Sequence, residues 1–355
     1  GLAGDALTTG ARNVAMGSYA LSGESTHGRN VAIGYSALKA QDAGTDAYNV
    51  AVGYDAGKSV TTATANTIIG GLAGDALTTG GDNVVLGYTA LSAEDTGSRN
   101  TAIGRGSLQN LNYNGNGYNT AVGYEAGNDI ITGVNNTLIG ALSGDELTLG
   151  SDNVAVGLGA LGKETEHGKN VAVGRSALET LNAGADGFNT AVGYQAGLSA
   201  TTGVNGVYVG ANAGVTLADG ANNVVIGRSA LGSAVSDSNN TAIGYAALSS
   251  QNGAGTSYNV AVGHAAGAAV TTGTYNVLIG GLAGDALTTG VNNVAIGHEA
   301  LSTEDAHGTN VAIGYRSLKV QDAGANAYNT AVGHNTGTAI STGVENILIG
   351  GNAGD

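Results

Sequence analysis

The chain has no cysteine, no proline and no tryptophan, and a single phenylalanine and a single methionine among 355 residues. Without cysteine there are no disulfides, thiolate metal sites or cysteine nucleophiles. Without proline, no backbone N–H is withdrawn from a hydrogen-bonded ladder. So few large side chains cannot fill the interior of a compact globule, though they can line a thin solenoid. Positive charge is also scarce: 12 Lys and Arg face 27 Asp and Glu, a net charge of −15. No basic cluster follows a phosphate backbone, so nucleic acid is excluded as the expected partner. No run of 18 apolar residues occurs, so no membrane-inserted helix is expected. Glycine is abundant, at 63 residues, but not in the Gly-X-Y period of collagen.

What is present is a repeat. Nineteen times an Asn stands four residues before a Gly that follows a large aliphatic. The glycines run Gly17, Gly34, Gly53, Gly70, Gly87 and so on to Gly350, twenty in all, spaced 17, 19, 17 and 17 residues in a cycle of 70. A unit this short cannot bury a core alone and must stack on its neighbours. The expected fold is therefore all-β, a parallel β-roll or β-solenoid of about 20 rungs. It forms one continuous domain over 1–355, with super-repeats at 1–70, 71–140, 141–210, 211–280 and 281–350 and the start of a sixth at 351–355. At about 4.8 Å per rung, the rod would be about 95 Å long. Because the chain begins and ends at the same phase of the repeat, further repeats are expected on both sides, and a fragment with uncapped ends would stack end to end.

Within a rung such as Asn30-Val-Ala-Ile-Gly34, apolar residues alternate with period two, as in a strand. The β-branched Val and Ile are expected to face the interior. The Ala between them, in a row with Ala102, Ala172 and Ala242, would then face outward against another backbone. The Asn is replaced once, by Gly206, which suggests a left-handed backbone at that position. The alternative is an axial ladder of stacked Asn amides. A second short strand is expected after the Gly, with a small residue such as Ala37 or Ala56. Rungs that continue with Leu (Leu21, Leu38) and rungs that continue with Gly (Gly57, Gly74) would fill the interior alternately, the latter through Val60, Leu77, Ile130 and Leu147. The 19-residue rung of each super-repeat carries an aromatic just before its closing Asn, at Tyr48, Tyr118, Phe188, Tyr258 and Tyr328. About 19 Å apart, these rings would cover the surface without forming a continuous platform.

Asn13-Val-Ala-Met-Gly17, Asn30-Val-Ala-Ile-Gly34 and Asn119-Thr-Ala-Val-Gly123 resemble the head repeats of YadA-like trimeric autotransporter adhesins. Asn119-Thr-Ala-Val-Gly-Tyr-Glu-Ala-Gly127 also looks like repeat arrays of phage tail-fibre and bacterial surface proteins. The resemblance spans the chain. It implies a left-handed parallel β-roll, three chains side by side, and an extracellular, cell-surface or virion location. The family's coils are shorter than those seen here.

Reactive constellations are sparse. His27, His167 and His307 are equivalent positions about 38 Å apart, and His264 and His334 replace Tyr54, Tyr124 and Tyr194, so no two can share a metal within one chain. In a trimer, three copies of one His could meet on the axis. Asp75 and its equivalents Asp5, Asp145 and Asp285 are too far apart for the calcium nonapeptide pattern. The neighbouring glycines lack the Lys-Ser/Thr of a phosphate loop. Glu94-Asp95 and Glu304-Asp305 read as solvated loop acids. Thr8-Thr9, Thr78-Thr79 and Thr288-Thr289 are too intermittent for an ice-binding lattice. The sequons beginning at Asn135 and Asn239 are accounted for by the repeat. No catalytic, cofactor-binding or metal residue is assigned, no cofactor is implied, and no enzyme is expected. The expected function is that of a structural fibre protein, a stiff shaft or head in a homo-oligomer, with a trimer favoured. The alternative is an adhesin or receptor-binding fibre whose loops hold a surface glycan; a polysaccharide-active solenoid enzyme ranks third. The largest departures from the period, Gly206 to Asp219 and Gly232 to Asn239, do not have the look of a dedicated pocket.

Overall fold

The structure, a computed structural model, describes residues 1–253 and 255–355. Among these there are twenty strands of three residues each and no helix. The chain divides into two compact units, Gly1–Arg175 with Gly184–Asp186, and Ser176–Ala183 with Gly187–Asp355. Each unit contains ten strands, from Val14–Met16 to Val171–Val173 in the first and from Thr190–Val192 to Ile347–Ile349 in the second. Each is a parallel β-solenoid whose successive strands pair without a register slip, Val31 on Val14 and Ala32 on Ala15, for example. The slanted bonds of a parallel ladder join them: Val50 N–H donates to Asn66 O at 2.8 Å, and Gly53 N–H to Ile33 O at 2.8 Å.

The strands face the opposite way from the sequence expectation. The middle residue is the buried one: Ala32, Ala102, Ala172 and Ala242 are fully enclosed in their own chain. Val and Ile on either side of it point outward and are half-buried or exposed. The row of alanines is thus not an intermolecular face. Period two fixed the two faces but not which was inside. The width of the coil decides that, because the inner face must leave room for Leu21 and Leu38, which are themselves fully buried.

The segment after the invariant glycine is a turn, not a second strand. Alternate residues adopt the left-handed region, Ser36 at φ 53° and Leu38 at φ 47°, which swings Leu38 inward. Their N–H groups still bond between rungs, Ser36 to Ser18 O at 2.9 Å and Leu38 to Ala56 O at 3.1 Å. These bonds hold non-glycine residues in a conformation they would otherwise avoid. Alternating fillers occur as the sequence indicates: Val60, Leu77, Ile130 and Leu147 are fully buried. A Cβ on Gly57 would lie 2.9 Å from Ile68 Cδ1 and 3.2 Å from Leu38 Cδ2, so the glycine makes room for its neighbours' side chains.

The repeated Asn forms the amide ladder. Its side chain is buried, and the left-handed residue is the one before it, Arg99 at φ 62° and Tyr118 at φ 50°. Asn66 shows the pattern. Its Oδ1 accepts from Asn83 N–H at 2.9 Å, and its Nδ2 donates to Gly80 O at 3.0 Å. One carboxamide therefore satisfies backbone groups of the next coil that would otherwise be buried and unpaired. The turn explanation of Gly206 is corrected accordingly. A Cβ there would come within 2.5 Å of Tyr208 Cε2, because the Tyr208 ring occupies the space of the missing amide.

Candidate functional site

Two exposed features recur on the surface of each unit. The first is a pair of columns made by the outward residues of the strands, one apolar throughout and one in which Val is interspersed with Thr, as at Thr67, Thr101 and Thr120. Val84 and Leu86 are 41% and 46% exposed, and Val192, Ile226 and Ile279 repeat the feature in the second unit.

The second is a column of rings at the position following the invariant glycine. Tyr35 and Tyr54 stack with centroids 5.3 Å apart and planes 10° apart, and Tyr19 meets the edge of Tyr35 at 5.8 Å. In the second unit Tyr245 stacks on His264 at 5.3 Å. His298, Tyr315 and His334 form a run of three, spaced 5.8 and 5.1 Å. The Arg316 guanidinium lies 4.9 Å from the Tyr315 ring centre, and Arg105 covers Tyr124 at 5.7 Å. The coil-to-coil rise places successive side chains at about the offset-stacking distance of aromatic pairs. Sequence reading recognised His264 and His334 as exposed exchanges for Tyr but missed the stack. The signal lay in the residue after each glycine, not in the ring before each Asn.

The rings before Asn are exposed, and three of them pack against a neighbouring side chain. Arg29 lies over Tyr48 at 5.1 Å, Arg99 over Tyr118 at 5.7 Å, and Tyr258 stacks on Tyr275 at 5.5 Å. The partners of Tyr48, Tyr118 and Tyr258 come from adjacent rungs.

The acidic loops depart from expectation. Glu94 and Glu304 are fully buried, not solvated, while Asp95 and Asp305 reach the surface. Glu94 Oε1 accepts from Thr96 N–H at 3.1 Å and Gly97 N–H at 2.6 Å, and Oε2 from Tyr113 N–H at 3.1 Å. It replaces backbone acceptors inside the loop, and burial still pushes its pKa above the usual carboxylate range. Glu24 likewise accepts from His27 N–H at 3.0 Å. Asp145 is raised to about 6, chiefly by desolvation and further by Glu146 and Asp129. Asp75 pairs with Lys58 at 3.2 Å. The Thr8, Thr78 and Thr288 hydroxyls donate to Ser25 O, Asp95 O and Asp305 O at 3.0, 2.8 and 2.7 Å, so the loops are tied together by the groups an ice lattice would need free. Asn135 is exposed, with its Nδ2 on Asp152 Oδ1 at 3.1 Å.

Among the described residues no pocket is enclosed and no helix is long and apolar enough to cross a membrane. Comparison with protein-family models finds no match, and neither does comparison with curated proteins.

Proposed function

We propose that the chain is a structural section of an extracellular or virion fibre, a stiff shaft or head that spaces other elements apart and carries no catalytic centre. The observation that carries this reading is the combination of in-register backbone pairing with a ladder of Asn amides, interrupted at Gly206, each serving the next coil. Bending or pulling such a coil must break several bonds together, which suits a load-bearing spacer. The resemblance to YadA-like heads supports a left-handed coil with three copies packed side by side. Here the contact surface between copies is the pair of outward columns, since β-branched side chains in register are the most apolar exposed feature of each unit. Electron microscopy of the purified protein tests the reading: straight, unbranched rods of uniform width are expected, and compact particles or flexible strings would refute it.

A second reading, a fibre that grips a surface glycan, is favoured by one feature, the stacked rings His298, Tyr315 and His334. Flat exposed rings in line offer apolar faces for sugar rings. Glycan-array binding that is lost in Tyr315→Ala would favour this reading over a pure spacer.

A further inference from the structure

His307 lies in a loop whose acids converge on it. Glu304, Asp305, His307 and Asp322 each offer one ligand atom, and these atoms all lie within 4.8 Å of one another. Asp322 comes from the following coil, so sequence spacing between histidines could not reveal the group. The backbone that carries it is fixed from the preceding rung. Thr288 Oγ1 donates to Asp305 O at 2.7 Å, and Asn293 Nδ2 donates to His307 O at 3.2 Å. Glu304 Oε1 accepts from His307 N–H at 3.1 Å and stands 3.4 Å from His307 Nδ1.

Two atoms of this group are buried without a hydrogen-bond partner, Glu304 Oε2 and His307 Nδ1. Glu304 is completely enclosed. The contrast with Glu94 is informative. There the same buried carboxylate has its second oxygen satisfied by Tyr113 N–H, and the positions of His307 and Asp322 are held by Gly97 and Asn112. At Glu24, whose Oε2 is likewise buried without a partner, the loop keeps His27 and Asp42 but has Ser25 in place of Asp305, and Thr26 Oγ1 lies 2.9 Å from His27 Nδ1. At Glu164 the two acids are replaced by Thr165 and Asn182. Among the described residues, only the loop at Glu304 combines three carboxylates with an imidazole. Enclosing the Glu304 carboxylate next to the exposed Asp305 and Asp322 carboxylates is costly unless a cation neutralises it, and a buried carboxylate oxygen without a donor is costly in any case.

We propose that Glu304, Asp305, His307 and Asp322 form a binding site for a divalent first-row metal ion, with Zn2+ the best fit. One nitrogen and three carboxylate oxygens make a four-ligand set that Zn2+ accepts, at about 2.0–2.2 Å per ligand. Ligands around a tetrahedral Zn2+ stand about 3.4 Å apart, so the four side chains, whose ligand atoms lie within 4.8 Å of one another, would have to draw closer on the ion. The imidazole disfavours Mg2+ and Ca2+, which prefer oxygen. An ion here ties one coil to the next through Asp322.

Calorimetric titration of the full chain with Zn2+ tests this, with Mg2+ as the comparison and Asp305→Ser and His307→Asn as variants. Asp305→Ser reproduces the loop that the chain already carries at Ser25, so it preserves the fold. One Zn2+ per chain is expected, not displaced by Mg2+, with affinity reduced about tenfold or more in each variant. Equal uptake by the parent and both variants, or no uptake by the parent, would overturn the proposal.

Discussion

Gly206 and Tyr208 share one space inside the coil. The Tyr208 ring fills the volume that an Asn side chain takes in other rungs, and a Cβ on Gly206 would come within 2.5 Å of its Cε2. Tyr208 is fully buried, its hydroxyl has no partner, and burial drives its pKa far above the ordinary tyrosine value. The Gly206 N–H still donates to Asn189 Oδ1 at 2.8 Å, so the ladder is received from below but not passed on.

The pair should therefore behave as one unit in a double-mutant cycle. Gly206→Asn alone collides with the ring, and Tyr208→Ala alone leaves a cavity costing about 3–5 kcal/mol. Together they restore the motif of the neighbouring rungs, and the double variant should be more stable than either single one. Denaturant unfolding measures this; additive losses would contradict the shared-space account.

Gly104 carries the same constraint as the other invariant glycines from Gly17 to Gly333. Its φ is 135°, and a Cβ would lie 2.6 Å from Gly123 C, against backbone that cannot move without breaking the ladder. Gly104→Val should cost more than about 3 kcal/mol. A melting temperature within a degree or two of the parent would refute the constraint.

Asn66 tests the amide ladder. Asn66→Asp keeps an acceptor for Asn83 N–H but removes the donor to Gly80 O and buries a charge. It should destabilise by about 3 kcal/mol or more at neutral pH and less under acid conditions, where the carboxyl is protonated. A pH-independent loss would show that the side chain serves only as packing.

Asp145 gives a second pH effect of known sign. Its folded pKa, held up at about 6, exceeds the unfolded value, so the folded state prefers the protonated acid. Stability is highest below the unfolded pKa, near 4, and falls as pH rises to about 6. Asp145→Asn should therefore raise the melting temperature at pH 7 and leave it nearly unchanged at pH 3.5. A lower melting temperature at pH 7 would reverse the assignment.

Much of this architecture is legible in the sequence, and the failures have specific causes. The invariant glycines and their period yield strand number and parallel register, because any other pairing would break the 17-19-17-17 cycle. The facing of Val31, Ala32 and Ile33 was not legible, since alternation is symmetric until the interior width is known. Leu38 in a left-handed turn looks like a strand residue because its side chain is apolar and buried. Glu304 looked solvated because its enclosure and its neighbour Asp322 arise only through the stacking of coils. The ring column was present in the sequence at Tyr35, Tyr54, Tyr315 and His334, but its contact distance depends on the rise between rungs.

The claim that copies of this chain pack together through their outward columns is tested most directly by mass in solution. Sedimentation equilibrium at micromolar concentration should give about three times the 34.4 kDa of one chain, and Val171→Lys on the outward column should reduce it. A parent protein that sediments as a single 34.4 kDa chain at every concentration would contradict the account.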